Sequence, residues 1–167
     1  LNKPAPLPMH PCGRFHRNTL MPILETACQP AKPRPAHRLD ANTTGILVCA
    51  MSAHVAGLIQ PQFSRQALPR GGVKKQYLAV IHGHPEADHF MIDAPIQARP
   101  GAAGLHDVCF LEGAGSQTEI SVIQRRDDGT SLIEARPLTG RTNQIRIHLW
   151  QRGFPIVGDP SYLPDLQ

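Results

Sequence analysis

The chain has 167 residues, of which 41% are hydrophobic and 18% are charged. This length suits one domain with its own core, and no apolar run approaches the roughly 20 residues that a membrane-spanning helix needs, so no membrane role is expected. The formal net charge of +4 is compatible with a polyanionic partner. Basic side chains gather in residues 1–39, 65–75 and 125–152, which favours a phosphate-rich ligand.

Cysteine and histidine give no sign of a metal site. The four cysteines show no Cys-x-x-Cys spacing, which indicates reduced thiols in an intracellular protein, cytoplasmic or mitochondrial. His82-Gly83-His84 has no cysteine or carboxylate at ligand spacing beside it. The sequence therefore predicts neither a metal nor another cofactor.

The first third of the chain is predicted to be largely irregular, with two short helices and one strand. Eight prolines fall within the first 36 residues and favour extended backbone there. A helix is expected over residues 19–27, capped by Asn18 or Thr19. Residues 45–50 form an apolar run that indicates a buried strand, and Ser52 is expected to cap a helix over residues 53–59.

The rest of the chain is dominated by predicted strands. Residues 74–81 alternate in the manner of a strand with both faces at least partly buried. Residues 97–116 are rich in Gly and Ala and indicate a loop. Residues 119–124 and 131–135 predict a hairpin around the Asp127-Asp128-Gly129 turn.

A final helix is expected to begin at a Thr142 cap, to run through Trp150 and to end near Gly153. Strands outnumber helices, which predicts a mixed α+β domain around one sheet, with residues 1–167 forming a single domain. Because the chain opens with Leu1, we expect that domain to be a portion of a longer protein.

Asp40 is the carboxylate whose position suggests chemistry. It follows a basic, proline-rich segment and precedes the predicted strand, and a loop entering a sheet can hold a side chain rigidly at a cleft. Taken alone, however, an aspartate in such a place more often hydrogen-bonds its own turn. The residue by itself leaves both interpretations open.

Five segments, in order along nearly the whole chain, resemble the RluA-type pseudouridine synthases. The central one is similar to that family's His-Arg-Leu-Asp-x-x-Thr-Ser-Gly signature, and two others are similar to its Lys-x-Tyr-Leu-Ala strand and its Thr-Gly-Arg-Thr-His-Gln-Ile-Arg-x-His element. The segments are Asn2-Lys3-Pro4, His37-Arg38-Leu39-Asp40-Ala41-Asn42-Thr43-Thr44-Gly45, Lys75-Gln76-Tyr77-Leu78-Ala79, Thr139-Gly140-Arg141-Thr142-Asn143-Gln144-Ile145-Arg146-Ile147-His148 and Gly158-Asp159-Pro160-Ser161-Tyr162.

The resemblance implies a pseudouridine-synthase-like α+β fold with a mixed, largely antiparallel sheet flanked by helices and loops. It also implies three catalytic positions. Asp40 corresponds to the catalytic carboxylate, which either adds to the ribose as a nucleophile or removes its 2′ proton. Arg146 resembles the arginine that pairs with that carboxylate and keeps it ionised. Tyr77 resembles the tyrosine whose ring stacks on the target base.

The resemblance further implies that RNA is the partner, since the target uridine must leave its stack before it can react. Arg38 is the candidate to fill the vacated space, and His37 and His148 are expected to serve mainly as structural hydrogen-bonding groups. Asn143 stands where the family usually has His, and it cannot become charged. The full set of expected RNA-binding residues is Arg38, Lys75, Arg141, His37, Thr142, Asn143 and Gln144.

The function implied is uridine isomerisation in ribosomal RNA rather than transfer RNA, with a ribosomal subunit or assembly intermediate as a further partner. The alternative is a non-catalytic RNA-binding or ribosome-assembly factor on the same fold. An unrelated hydrolase has little support, because the chain shows neither a Ser-centred elbow nor a second paired carboxylate.

Overall fold

The structure is a computed structural model that describes residues 1–11, 17–64, 71–97 and 113–162. The chain divides into two compact units, Leu1–Val73 and Lys74–Gln167, called here the N-terminal and C-terminal units. The expectation of one catalytic domain over residues 1–167 stays a prediction. Most of the loop predicted over residues 97–116 lies outside the described residues.

The N-terminal unit is built from short elements. Strand β1 pairs antiparallel with β3, and β2 pairs antiparallel with β4. In chain order the elements are β1 (Asn2–Lys3), α1 (Leu20–Ala27), β2 (Arg34–Pro35), β3 (Gly45–Ile46), β4 (Cys49–Ala50), α2 (Ala53–Ile59) and a 3-10 turn (Gln60–Phe63).

The prediction of one buried strand over residues 45–50 is wrong, because the backbone changes partner halfway. The Leu47 amide donates to the Leu1 carbonyl, whereas the Val48 carbonyl accepts from Ala36. Two short strands result, and burial follows the change of direction: Leu47 is fully buried, while Ile46 is 78% exposed. The helix predictions are confirmed, with Thr19 preceding α1 and Ser52 Oγ accepting from the Val55 amide at 3.3 Å.

The C-terminal unit is a four-stranded antiparallel sheet with one helix. The strand order is β5-β8-β7-β6, and the predicted hairpin is confirmed as β7 and β8. The elements are β5 (Tyr77–His82), β6 (His89–Asp93), β7 (Gln117–Arg125), β8 (Thr130–Pro137) and α3 (Gln144–Gln151). The α+β class is therefore confirmed, although the described residues form two small ribbons and one larger sheet instead of a single sheet.

One face of the larger sheet carries the core of this unit. Alternate residues of each strand point to that face, and Leu149 from α3 packs onto them. The cluster is wholly aliphatic, as the low aromatic content requires: Ile81, Ile92, Ala94, Ile120, Ile133, Ala135 and Leu149. On the opposite face Val80 is half-buried as predicted, but Leu78 is 66% exposed.

Strand β5 lies at one end of the strand order, and a later segment runs along it. The His82 amide donates to the Pro155 carbonyl, and the Val157 amide donates to the Val80 carbonyl, both at 2.9 Å. An antiparallel bridge joins Ile81 and Ile156 between these two bonds. The segment therefore covers part of the β5 edge.

A buried hydrogen-bond network fixes α3 against the sheet. Gln144 Nε2 donates to Thr118 Oγ1 at 3.0 Å, and Thr118 Oγ1 lies 2.9 Å from His148 Nδ1. The other imidazole nitrogen, Nε2, lies 2.9 Å from the Ala94 carbonyl. Because a carbonyl only accepts, Nε2 carries the proton and Nδ1 accepts from the threonine hydroxyl. These buried contacts on both ring nitrogens confirm the expected structural role of His148.

This network makes the stability of the fold depend on pH. Burial lowers the pKa of His148 below its ordinary value of 6.5, and the hydrogen bond to Ala94 and the charge of Asp93 oppose this without outweighing it. Below about pH 6.5 the unfolded chain then binds more protons than the folded chain. The free energy of unfolding should fall on acidification, by up to about 1.4 kcal/mol per pH unit, until the folded pKa is passed.

Urea unfolding between pH 7.5 and pH 5 measures this slope. We expect His148→Gln to flatten it, whereas His54→Gln, at an exposed position on α2, should leave it unchanged. Equal slopes for the wild type and His148→Gln would contradict the assignment.

Candidate active site

Asp40 lies on a tight loop of the N-terminal unit. The preceding Leu39 is buried, at 6% exposure, and anchors the loop. The Asp40 carbonyl accepts from the Thr43 amide at 3.1 Å, which closes a turn directly after the carboxylate. Asp40 itself is half-buried. The loop thus holds a carboxylate at a defined position without enclosing it.

A buried lysine stabilises this loop. Lys3 is 0% exposed, and its ammonium donates to the carbonyls of Pro4, Leu7 and Ala41 at 2.8, 2.9 and 3.0 Å. These three bonds use all the donors of an ammonium group. Burial lowers the pKa of Lys3, and the negative charge of Asp40 opposes that shift. Lys3 therefore ties the start of the chain to the residue that follows Asp40.

The two residues before Leu39 differ in exposure. His37 is half-buried: Nε2 accepts from the Val48 amide at 3.2 Å, and its ring stacks on Phe63 with centroids 4.6 Å apart. The expected structural role of His37 is confirmed by these contacts, while RNA binding by it stays a prediction. Arg38 is exposed, as a side chain that contacts RNA would have to be.

Arg146, on α3 of the C-terminal unit, is held by a second carboxylate. Its Nε donates to Asp159 Oδ2 at 2.6 Å, and its Nη2 donates to Asp159 Oδ1 at 2.7 Å. The side chain of Asp159 is 4% exposed and that of Arg146 is 19% exposed. These are two parallel bonds between one guanidinium and one carboxylate. The pairing of Arg146 with Asp40, which belong to different units, stays a prediction.

The Asp159 carboxylate is ionised in this setting. Burial by itself raises its pKa, but the hydrogen bonds from Arg146, Ser161 and Tyr162 and the charge of Arg146 together hold the pKa below its ordinary value. Oδ1 accepts from the amides of Ser161 and Tyr162 at 2.9 and 3.1 Å as well as from the guanidinium. Asp159 therefore organises both its own turn and Arg146.

Two further side chains surround the same guanidinium. Asn143 Oδ1 accepts from Arg146 Nη1 at 2.9 Å, and Asn143 Nδ2 donates to the Tyr162 hydroxyl at 3.3 Å. The Tyr162 ring lies beneath the guanidinium, 4.9 Å from its central carbon. We call Asn143, Arg146, Asp159 and Tyr162 the arginine cluster. All four belong to the C-terminal unit.

The other predicted residues of this unit lie on β5, just before β5 and on the segment before α3. Tyr77 opens β5 and shares the face of Ile81 by strand alternation. Lys75 is half-buried, with its ammonium 3.5 Å from the Thr139 carbonyl, and burial lowers its pKa. Arg141 is exposed.

The start of α3 differs from the prediction. The residue before the helix is Asn143 rather than Thr142, and it has a φ of 54°, a left-handed conformation that Asn tolerates better than most residues. Gln144 is buried. Its Oε1 accepts from Thr139 Oγ1 and from the Arg141 amide, and its Nε2 donates to the Gln117 carbonyl and to Thr118. These four bonds use its full capacity, so Gln144 acts on this segment by positioning it.

Sequence reasoning assigned no role to Asp159 or Tyr162, and it counted Lys3 only among the basic side chains of residues 1–39, although Lys3 is buried. Each stands in a segment that carried the family resemblance, at the two ends of the chain, and that was the available signal. Among the described residues, no group of three or more His, Cys, Asp and Glu side chains is placed to hold a metal ion. Within the same ranges, no helix is long and apolar enough to cross a membrane.

Comparison with known proteins identifies the class. The profile of the RNA pseudouridylate synthase family matches residues 1–151, and the chain belongs to this family. Two solved human structures share the fold. RNA Pseudouridylate Synthase Domain Containing 1 has a TM-score of 0.74 and Domain Containing 4 one of 0.75. Each is 28% identical, over 98% and 99% of this chain and 65% of theirs.

Sequence relatives agree with this assignment. RNA pseudouridine synthase 7 of Arabidopsis thaliana is 37% identical over 96% of this chain and 41% of its own length. The dual-specificity RNA pseudouridine synthase RluA of Yersinia pestis is 34% identical over 97% of this chain and 76% of its own length. The mitochondrial tRNA pseudouridine(32) synthase of Saccharomyces cerevisiae is 31% identical over 99% of this chain and 35% of its own length. The chain thus spans less than half the length of several relatives that it matches.

The contacts of Lys3 predict that replacing this residue lowers the free energy of unfolding substantially. Lys3→Met keeps most of the side-chain length but removes the donors to three carbonyls. We expect the free energy of unfolding to fall by about 3 kcal/mol or more, since each hydrogen bond from a charged group contributes about 1.5–3 kcal/mol. Denaturant unfolding measures this, with Lys32→Met at an exposed position as the control. Equal stability of the two variants would show that the Lys3 bonds do not support the loop.

Proposed function

We propose that this chain converts uridine to pseudouridine in RNA, with Asp40 as the catalytic carboxylate and with Tyr77 and Arg146 at the same site. The observation that carries this proposal is that a chain matched by the family profile over residues 1–151 retains all three residues in their motifs. The rigid loop of Asp40 and the fixed guanidinium of Arg146 support it, because catalytic groups must be held in place before substrate arrives.

The reaction balances without an external reagent. The bond between N1 of uracil and C1′ of ribose breaks, the base turns, and a bond forms between C5 and C1′. C5 loses one proton and N1 gains one, so nothing is oxidised or reduced and no cofactor is required. Asp40 either attacks C1′ as N1 leaves and is itself displaced when C5 bonds to C1′, or removes the 2′ proton and returns it once the new bond has formed. Both roles need an ionised carboxylate close to the ribose.

In this proposal Arg146 orients Asp40. The bonds to Asp159 and Asn143 fix the plane of the guanidinium. A planar guanidinium that is held in one orientation can in turn orient a carboxylate that pairs with it.

RNA binding falls to exposed and half-buried basic groups. We propose that Lys75 and Arg141 contact phosphates and that Arg38 stacks where the target base was. Asn143 and Gln144 contribute by shaping the segment before α3, together with Thr142. His37 supports the Arg38 segment through its bond to Val48.

The proposed substrate is ribosomal RNA, presented by a ribosomal subunit or an assembly intermediate. Transfer RNA is the second candidate, because the yeast relative is named for position 32 of tRNA. That relative is also named as mitochondrial, and we propose an intracellular site of action in either the cytoplasm or mitochondria. The alternative of a non-catalytic RNA-binding or ribosome-assembly factor predicts binding without conversion.

Replacement of Asp40 tests the proposal. Asp40→Asn keeps the shape of the side chain but removes its charge, so we expect conversion to fall by at least about 10²- to 10⁴-fold, the range that one positioned acid–base group contributes. RNA affinity should stay within about twofold, because phosphate contacts dominate affinity. Pseudouridines are mapped by chemical modification and reverse transcription of ribosomal and transfer RNA from cells that carry each variant.

Asp127→Asn is the matched control, since Asp127 is an exposed aspartate in the β7–β8 turn. Loss of the same site with Asp40→Asn and with deletion of the gene, but not with Asp127→Asn, supports the enzyme and identifies its RNA. Conversion that persists with Asp40→Asn, or assembly defects that appear only on deletion, would favour the non-catalytic factor.

A further inference from the structure

The carboxylate of Asp159 contacts both its own turn and the guanidinium of Arg146. Its side chain is 4% exposed, and Oδ1 accepts from two backbone amides of the turn and from Arg146 Nη2. Within the part of the chain that the structure describes, Oδ2 accepts from Arg146 Nε, at 2.6 Å. Oδ1 therefore bonds to both the turn and the guanidinium, whereas the bond at Oδ2 is made to the guanidinium.

We propose that Asp159 and Asn143 are positioning residues of the synthase, which orient the Arg146 guanidinium before RNA and Asp40 engage it. This inference rests on the proposed function, because the orientation matters for conversion only if Arg146 acts in the reaction. Asp159 lies beyond the residues that the family profile matches, 1–151.

The physical reason lies in the flexibility of arginine. Its long side chain has many rotamers, and holding it in one of them loses conformational entropy. Asp159 fixes the plane of the guanidinium through two parallel bonds, and Asn143 adds a third bond at Nη1. The entropy is then lost on folding instead of during the reaction, which is what preorganisation achieves in catalysis.

Charge leads to the same conclusion. A largely buried guanidinium without a carboxylate would be strongly unfavourable. Asp159 supplies that carboxylate from within the same unit, so Arg146 can keep its place whether or not Asp40 is near it. The Tyr162 ring, 4.9 Å from the guanidinium carbon, covers one face of the group.

Asn143 suits its position in backbone as well as side chain. Its φ of 54° turns the chain into α3, and its short amide then reaches Arg146 three residues later. The amide accepts from the guanidinium and donates to the Tyr162 hydroxyl, so it links two other members of the arginine cluster. It has no charge to lose or gain, so this contact is independent of pH.

Asp159→Asn separates the two functions of the carboxylate. The retained Oδ1 still accepts from Ser161, Tyr162 and Arg146 Nη2, while the new amide nitrogen faces the Nε donor and cannot bond to it. We expect kcat for conversion of the mapped RNA to fall by about tenfold or more, with KM within about twofold, because the bond lost is to a charged group and not to RNA. Asp88→Asn, in the exposed Asp88–Arg125 pair, is the matched control and should leave kcat unchanged.

Asn143→Gly tests the second residue without straining the backbone, since glycine accepts a positive φ. We expect thermal stability near that of the wild type and a fall in kcat of about threefold to tenfold, the effect of one hydrogen bond to a charged group. If Asp159→Asn does not fold, this variant alone decides the proposal. A kcat within twofold of the wild type would overturn it.

A double-mutant cycle distinguishes positioning from general support of the fold. Arg146→Lys keeps the charge but not the fork, so the effects of Asp159→Asn and Arg146→Lys on kcat should be less than additive. Additive effects would show that Asp159 acts elsewhere and would overturn the inference. If Asp40→Asn abolishes conversion while Asp159→Asn and Asn143→Gly do not change kcat, only this inference fails. If the wild type shows no conversion, the proposed function fails first.

Discussion

The buried polar network from Gln144 through Thr118 to His148 sets the rotation of α3, and the geometry of the C-terminal unit depends on it. Residues 144 and 148 are one turn apart on the inward face of the helix. With 3.6 residues per turn, residue 146 then lies on the opposite side, away from the sheet. The hydrogen bonds of Gln144 and His148, together with the packing of Leu149 on the sheet, therefore hold α3 in the rotation at which Arg146 meets Asp159. A purely apolar helix face would allow rotation that this network excludes.

In each unit a buried charged side chain is bonded to residues of that same unit. In the N-terminal unit Lys3 donates to three carbonyls, and in the C-terminal unit Arg146 is paired with Asp159. Neither ion relies on a partner from the other unit for these bonds. Each of these charged side chains is therefore held in place by contacts within its own unit.

Features that depend on residues nearby in sequence were predicted from the sequence, and features that depend on distant residues were not. Periodicity and turn residues located the β7–β8 hairpin and both α1 and α2, because these depend on nearby residues. The same reasoning failed for residues 45–50, because the change of hydrogen-bond partner at Leu47 and Val48 depends on residues elsewhere in the sequence. The catalytic candidates came from motif resemblance. The pairing of Arg146 with Asp159 was not predicted in this way. A carboxylate 13 positions away has no fixed relation to an arginine on a helix until the intervening turns are known.

The strand-like segment along β5 has a meaning beyond its two hydrogen bonds. An uncovered sheet edge offers unpaired backbone groups to other chains and promotes aggregation, and Pro155 to Val157 cover part of that edge. The same segment leads directly to Asp159, two residues later. Protection against self-association and the placement of a buried carboxylate are therefore joined in one short piece of chain. A change that weakens the pairing of this segment with β5, for instance to let a partner strand bind there, would therefore also disturb the guanidinium of Arg146.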